Sequence, residues 1–358
     1  MFRRIIFAGL LQIVTTFAAE PLQVRTDGAR FVGATGCKSS SCHGGAGEKR
    51  SQYFTWSQKD FHTRAFAILT DARSQRIAET LGISSAQTSS RCTICHSPMQ
   101  AIAPARLTRP IDPSESVSCE SCHGAAEPWL RGHTRTDWTY ATRLGAGMRD
   151  LRSFYVRANT CVACHQNLDA DITRAGHPEL VFELNRQSID EPKHWRDPEG
   201  SDTRAWLVGQ AVALREVSWH LAQNPQANEE ARAQWQALVW LLSKVTQPGL
   251  PAIAETDYGT VQRDADTLAR RAAREDFSRD FNYRLTSELA SIDLPAAPKE
   301  LGFACAQRLL LALQSLTRGD PKRANQLADL CEAVRSPAQF DRVDFSARLA
   351  KFRGSLSP

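Results

Sequence analysis

The sequence predicts a mainly α chain in two unequal parts. The first is loop-rich and dense in cysteine and histidine; the second is all-helical. Three observations predict this division. Eight of the ten cysteines and eight of the nine histidines fall before residue 199. That stretch is rich in Gly, Pro, Ser and Thr and has few amphipathic periods, so it lacks the apolar pattern to build a core of its own. After "DEPKHWRDPEGSDTR" the chain turns to Ala, Leu, Arg, Gln and Glu, which favour helix. A length of 358 residues suits two domains.

The elements follow in order. "MFRRIIFAGLLQIVTTFAAE" has a basic start at Arg3 and Arg4, an apolar run from Ile5, and small residues at Ala18 and Ala19. This is the pattern of a cleaved signal peptide over residues 1–19. A membrane anchor is the competing reading, but the run is short and broken by Thr15 and Thr16. The mature protein is therefore expected to be exported, soluble and periplasmic. Residues 20–198 form the first domain, in which "WSQKDFHTRAFAILTDARSQRIAETL" is the clearest helix. Residues 199–358 form the helical domain. Its first helix starts at Asp202 or Thr203 and runs to about Gln223, with Leu207, Ala211, Leu214 and Leu221 on one face. Further helices are expected at 227–247, ended by "QPGLP", and at 258–275 and 277–292. A last hairpin pairs 302–318 with 322–334 across "RGDPK". No glycine-rich phosphate loop is present.

The chemistry lies in a recurring cysteine-pair-plus-histidine unit. "CTICH" (Cys92, Cys95, His96), "CESCH" (Cys119, Cys122, His123) and "CVACH" (Cys161, Cys164, His165) fit the c-type haem attachment signature. Two thiols add across the vinyl groups on one porphyrin edge, and the adjacent histidine points at the iron. Structural zinc would pair two such cysteine units and leave the histidines unexplained. A disulfide framework, natural in an exported chain, predicts no histidine fixed after each second cysteine. "CKSSSCH" (Cys37, Cys42, His43) keeps the terminal Cys-His pair but inserts two residues. Its serines suit a turn that loops the insertion out, and it is read as a fourth attachment site, against a Cys37–Cys42 disulfide. Four covalent haem c groups would then form the missing core. Their eight propionates, with loss of Arg3 and Arg4, would turn the net charge of +5 to about −5. The basic balance therefore calls for no nucleic-acid partner.

The axial ligands decide what such haems do, because an open sixth position admits a substrate. Five histidines remain after the four motifs: His62, His133, His177, His194 and His220. His62, His133 and His177 are read as ligands to neighbouring haems. His194 is left open between a ligand, a proton donor and a linker residue. His220 falls opposite the apolar stripe of its helix and is expected to be exposed. Met99 is too close to His96 to reach the far face of that haem, and Met148 is unsupported. Cys305 and Cys331 lack a following histidine; a disulfide is expected between them, against two free thiols.

Residues 31 to about 195 resemble the tetrahaem cytochrome c-554 family. The likeness rests on the four motifs, the helical "W…FH..A" stretch, "CESCHG" followed by "GH", and "AGHPEL" after the fourth motif. The resemblance implies a loop-rich multihaem cytochrome domain with closely stacked haems, here followed by the all-helical domain. It further implies that three haems carry two histidines and that the second, at His96, is five-coordinate. His133 would then serve the first haem, His177 the third and His62 the fourth. The expected function is electron transfer between periplasmic or membrane-bound redox proteins, with no catalytic residue of its own. The alternative is an enzyme reducing a small nitrogen or sulfur oxide at the open haem. A third possibility is a subunit of a larger respiratory complex, docked through the helical domain.

Overall fold

A computed structural model describes residues 28–198, 200–224, 229–318 and 323–356. The expected signal peptide and most of the "RGDPK" turn lie outside them. The described residues are almost entirely helical, with no sheet; one isolated bridge joins Phe31 to Leu107. None of their helices is long and apolar enough to cross a membrane.

The first half is a string of short helices: α1 (Gln52–Lys59), α2 (Ala65–Ile68), α3 (Ala72–Thr80), α4 (Ser90–His96), α5 (Cys119–His123) and α6 (Tyr140–Gly145). The single long helix expected over 56–81 is broken twice, and aspartates are the reason. Asp60 turns extended and accepts from the His62 amide, and Asp71 does the same for Ser74. Each is a capping side chain that offers the backbone an end to one helix and a start to the next.

The second half contains the long helices: α7 (Phe154–His165), the short α8 (Ala170–Arg174) and α9 (Leu184–Asp190), then α10 (Asp202–Gln223), α11 (Glu229–Leu242), α12 (Tyr258–Ala272), α13 (Arg279–Leu289), α14 (Lys299–Leu316) and α15 (Ala324–Ala333), these six close to their expected bounds, and α16 (Arg342–Gly354), which was not expected. Helix α10 is the axle. It packs on α7, α9, α11, α12 and α14. Accordingly it is buried nearly all round rather than along the single expected stripe.

One hydrophobic cluster runs without a break from Phe154, Ala158 and Val162 on α7 to Leu356. It crosses residue 198, and no clear two-domain split is shown. The helix bearing the fourth motif is part of the same core as the C-terminal helices. Buried polar groups lock this junction. Arg215 on α10 bonds Asp266 at 2.8 Å and Tyr155 at 3.2 Å, and also reaches Asn159.

Cys305 and Cys331 are free thiols, contrary to the expected disulfide. The Cys331 sulfur accepts from Gln314 Nε2 at 3.1 Å. Gln314 lies two and a half turns along α14 from Cys305, about 13 Å. A disulfide needs its Cα atoms within about 7 Å. His220 is half-buried rather than exposed, next to Asn224.

Candidate haem-binding site

Three of the four attachment motifs sit at helix C-termini. "CTICH" closes α4, "CESCH" is the whole of α5, and "CVACH" closes α7. On a helix the cysteines at i and i+3 and the histidine at i+4 share one side, which is what a single porphyrin edge requires. Each helix stops at its histidine. Ser97, Gly124 (φ 82°) and Gln166 take the chain away.

The first motif cannot use that geometry, because its cysteines are five residues apart. A tight turn replaces the helix. Cys42 N donates to Ser39 O at 2.9 Å and His43 N to Cys37 O at 3.1 Å, so the serines bulge out as expected. Gly44 follows because there is no room for anything else: a Cβ there would meet the Lys38 carbonyl at 1.8 Å.

Eight of the nine histidines come together in four pairs. Ring centres are 6.1 Å apart for His43–His133, 6.3 Å for His96–His177, 6.3 Å for His123–His194 and 6.0 Å for His62–His165. Each pair holds one motif histidine and one from elsewhere. The planes meet at 16°, 76°, 54° and 87° respectively, while the spacing scarcely changes. Ring stacking would select an angle; a shared object between the rings selects a distance. Two imidazoles on opposite sides of one metal put their ring centres about 6 Å apart, from metal–nitrogen bonds of about 2 Å and about 1.1 Å from nitrogen to ring centre.

The ring nitrogens tell the same story. Nδ1 of His43 meets Gln52 Oε1 at 2.9 Å, Nδ1 of His62 meets Asp60 Oδ1 at 3.0 Å, and Nδ1 of His96 meets the Ala65 carbonyl at 2.8 Å. Nδ1 of His133 meets the Trp129 carbonyl at 3.1 Å and Nδ1 of His177 the Pro178 carbonyl at 2.8 Å. His194 bonds the Pro192 carbonyl. Nδ1 of His165 lies 3.4 Å from Gln187 Nε2, while Gln187 Oε1 is buried without a partner. Half a turn of that amide presents the oxygen to Nδ1–H. Nδ1 held by an acceptor leaves Nε2 as the lone-pair donor, the arrangement of metal-bound histidine. Burial keeps several of the rings neutral and able to donate. His123 is pushed down to about 4 by burial and then by His194, and His165 down to about 4 by burial and then by His62.

These residues fit haem c. All eight motif cysteines are free thiols, and no cluster of cysteine and histidine close enough to hold an ion occurs among the described residues. The one group of that kind is Asp60, His62 and Glu191, which contains no cysteine. Large apolar side chains also face outward beside the motifs: Phe61, next to His62, is 65% exposed, and Ile94, inside the second motif, is 40% exposed. An apolar macrocycle would cover such surface.

The pairing differs at two positions from the one implied by the resemblance. His177 stands opposite His96 rather than serving the third motif, and His194 takes that place opposite His123. The motifs also meet one another. The Cys37 and Cys119 thiols share a hydrogen bond, as do Cys95 and Cys164. In each pair the second thiol is pushed far up and stays protonated, held by its partner's bond and by burial. Cys161 is pushed up by burial and then by the nearby Cys122, and Cys122 by burial and then by Glu191.

Several supporting residues carry no motif and escape a reading by pattern. Glu120, inside "CESCH", is 1% exposed and accepts from the amides of Val32, Gly33 and Ala126, tying the first motif's approach to the third motif's helix. Arg149 donates to the Ser121 and Cys122 carbonyls at the end of α5. The segment bearing His177 and His194 is clamped from the helical half. Arg308 on α14 donates to the Phe182 carbonyl at 2.8 Å, and Ser315 to Glu183 at 3.3 Å.

Residues 36–124, about a quarter of the chain, match the cytochrome c554 and c-prime family. The matched span holds the first three motifs and His62. No curated protein matches the chain. No solved structure matches it either. The family match points to a haem c-binding fold, and together with the helical, cysteine-bearing architecture it supports an electron-transfer role of the c-type cytochrome kind.

Proposed function

We propose that the chain is an exported tetrahaem c-type cytochrome that carries electrons between redox proteins. The observation that carries this reading is the set of four histidine pairs at 6.0–6.3 Å, each containing one motif histidine. Bound haem c supplies a one-electron iron couple at each pair. The cysteines tether it: Cys37 and Cys42, Cys92 and Cys95, Cys119 and Cys122, Cys161 and Cys164. His43, His96, His123 and His165 would each hold an iron together with His133, His177, His194 and His62 respectively. A metal capped on both faces by histidine moves electrons without admitting a substrate, and in the absence of methionine ligands its potential is low. The alternative of an oxide-reducing enzyme needs an open face at His96, and the position of His177, 6.3 Å from that ring, favours the carrier.

The thiol contacts suggest the order of transfer. The first motif meets the third, the third approaches the fourth, and the fourth meets the second. The two ends of this series would face different partners, which we take to be periplasmic or membrane-bound redox proteins, or fellow subunits of a respiratory complex. Removal of residues 1–19 on export belongs to this reading.

A pyridine haemochrome count with low-temperature EPR of the oxidised protein tests it. The expected result is four haems per chain, low-spin signals only, and no high-spin ferric signal. Near-parallel ligand planes at His43–His133 should give an ordinary rhombic signal. The near-perpendicular pair His62–His165 should give a strongly anisotropic one with a single large g value. A stoichiometric high-spin signal would replace the carrier with an open-haem enzyme.

A further inference from the structure

Among the described residues, six of the eight paired histidines meet a backbone carbonyl or a side-chain amide, His123 has no described side-chain partner for its Nδ1, and His62 alone meets a carboxylate. Asp60 is 5% exposed, and its Oδ1 holds both the His62 amide at 2.9 Å and the His62 Nδ1 at 3.0 Å. The double contact fixes the carboxylate on the ring, because Asp60 is at once the cap of the turn that carries His62. A carboxylate accepting from Nδ1–H draws the proton toward itself and makes Nε2 a stronger donor. A stronger donor and a nearby negative charge both favour iron(III) over iron(II).

We propose that Asp60 is a positioning residue that gives the fourth haem, bound between His165 and His62, the lowest potential of the four. This rests on the tetrahaem reading above. The redox step is the gain of one electron by iron(III) from a reduced partner protein, and no bond forms or breaks at Asp60. Other charges face the same ring. Glu191 approaches from the segment before His194 and adds to the effect, while Arg157 and Lys193 stand beside Glu191 and oppose it. His194 feels the Asp60 charge without bonding it. The third haem is therefore biased the same way, more weakly. In the series of contacts the fourth site is internal, so the arrangement is a wire with its low point inside rather than at an end.

The test is an EPR-monitored redox titration of the purified holoprotein, followed by the same titration of Asp60→Asn. In the unaltered protein the signal lost last on reduction should be a strongly anisotropic one, from near-perpendicular ligands. If the rhombic signal is lost last, the proposal fails without any variant being made. In Asp60→Asn the haemochrome count should stay at four. The lowest wave should move upward by roughly tenfold in its oxidised-to-reduced ratio, about 59 mV for one electron. Four low-spin haems with an unmoved lowest wave overturn the role of Asp60 and leave the carrier intact. Fewer than four haems in the unaltered protein overturn the tetrahaem reading itself.

Discussion

Two regions of this chain solve the same problem in opposite ways. Between residues 28 and 150 the buried apolar clusters are small: Val32 with Ala126 and Trp129, and Leu69 with Ala78 and Ala86. From Phe154 onward one cluster gathers side chains from every long helix. Chain length does not explain the difference, since a stretch of about 120 residues ordinarily builds a core. The first region spends its sequence on cysteines, histidines and the turns that hold them. It contributes a member to each of the four histidine pairs, and on the proposed reading the apolar material that would join its helices is the porphyrin. The second region builds its core from side chains, although α7 carries the fourth motif, and it holds His177 and His194, which stand opposite two motif histidines of the first region.

Removing the cofactor is the sharpest way to break the comparison. With all eight motif cysteines replaced by alanine, no haem can be tethered. Residues 28–150 should then be digested rapidly by protease, whereas a helical fragment beginning near residue 150 should persist. Mass spectrometry of the limit digest checks this. Survival of both regions would mean that the first has a core independent of haem. Loss of both would mean that α7 depends on its own haem and brings the helical half down with it.

A smaller effect tests the second region alone. Arg308 is fully buried, with Gln234 Oε1 at 3.0 Å and the Phe182 carbonyl at 2.8 Å. Burial pulls its guanidinium down to about 10, although Glu179 and Glu183 work the other way. Replacing it with methionine strands those acceptors and the acidic groups together. The expected cost is about 3 kcal/mol in the denaturant unfolding of the helical half. Because the Phe182 carbonyl lies between His177 and His194, the haem EPR signals of those two pairs should broaden, and those of His43–His133 should not. Equal broadening at all four sites would mean that Arg308 acts on global stability rather than through this segment.

The same comparison explains what could be read from the sequence. Cysteine at i and i+3 with histidine at i+4 is a local pattern, so the helical turns of three motifs can be read from the sequence, and the serines of the first motif announce its turn. Local periodicity also placed the helices after residue 200, because apolar spacing there reports directly on burial. What the sequence left hidden is long-range. Which histidine faces which motif depends on how α4, α5 and α7 are brought together, and no spacing carries that. His177 therefore stands at the second motif rather than the third, and His194, which the resemblance assigned to no haem, stands at the third. The stripe Phe154, Ala158 and Val162, at i, i+4 and i+8 before the fourth motif, was a readable sign that α7 belongs with the helical half. Asp60 carried a sign too: an aspartate two residues before His62 both ended a helix and supplied an acceptor for the His62 Nδ1.

The smallest effect concerns pH and again separates the regions. Glu183 caps α9, accepting from the Asn185 and Arg186 amides, and is buried at the floor of the clamped segment. Burial pushes its carboxyl up to about 7 from an ordinary 4.5, and its backbone hydrogen bonds and Arg308 offset only part of that. Between these values the folded chain holds a proton that the unfolded chain has lost. Stability contributed by this group therefore falls as pH rises from about 4.5 to about 7, by at most about 1.4 kcal/mol per unit. Glu183→Gln cannot titrate and removes that slope. The difference in unfolding free energy between variant and parent should thus shift in favour of the variant as pH rises through this window, and level off above it. The haem spectrum should be the same in both proteins throughout, since the charge lies in the helical core rather than against a histidine pair. A constant difference between pH 4.5 and 7 would mean that Glu183 stays ionised in the fold, balanced by Arg308. The clamp on the ligand-bearing segment would then be a buried ion pair rather than a neutral hydrogen-bonded cap.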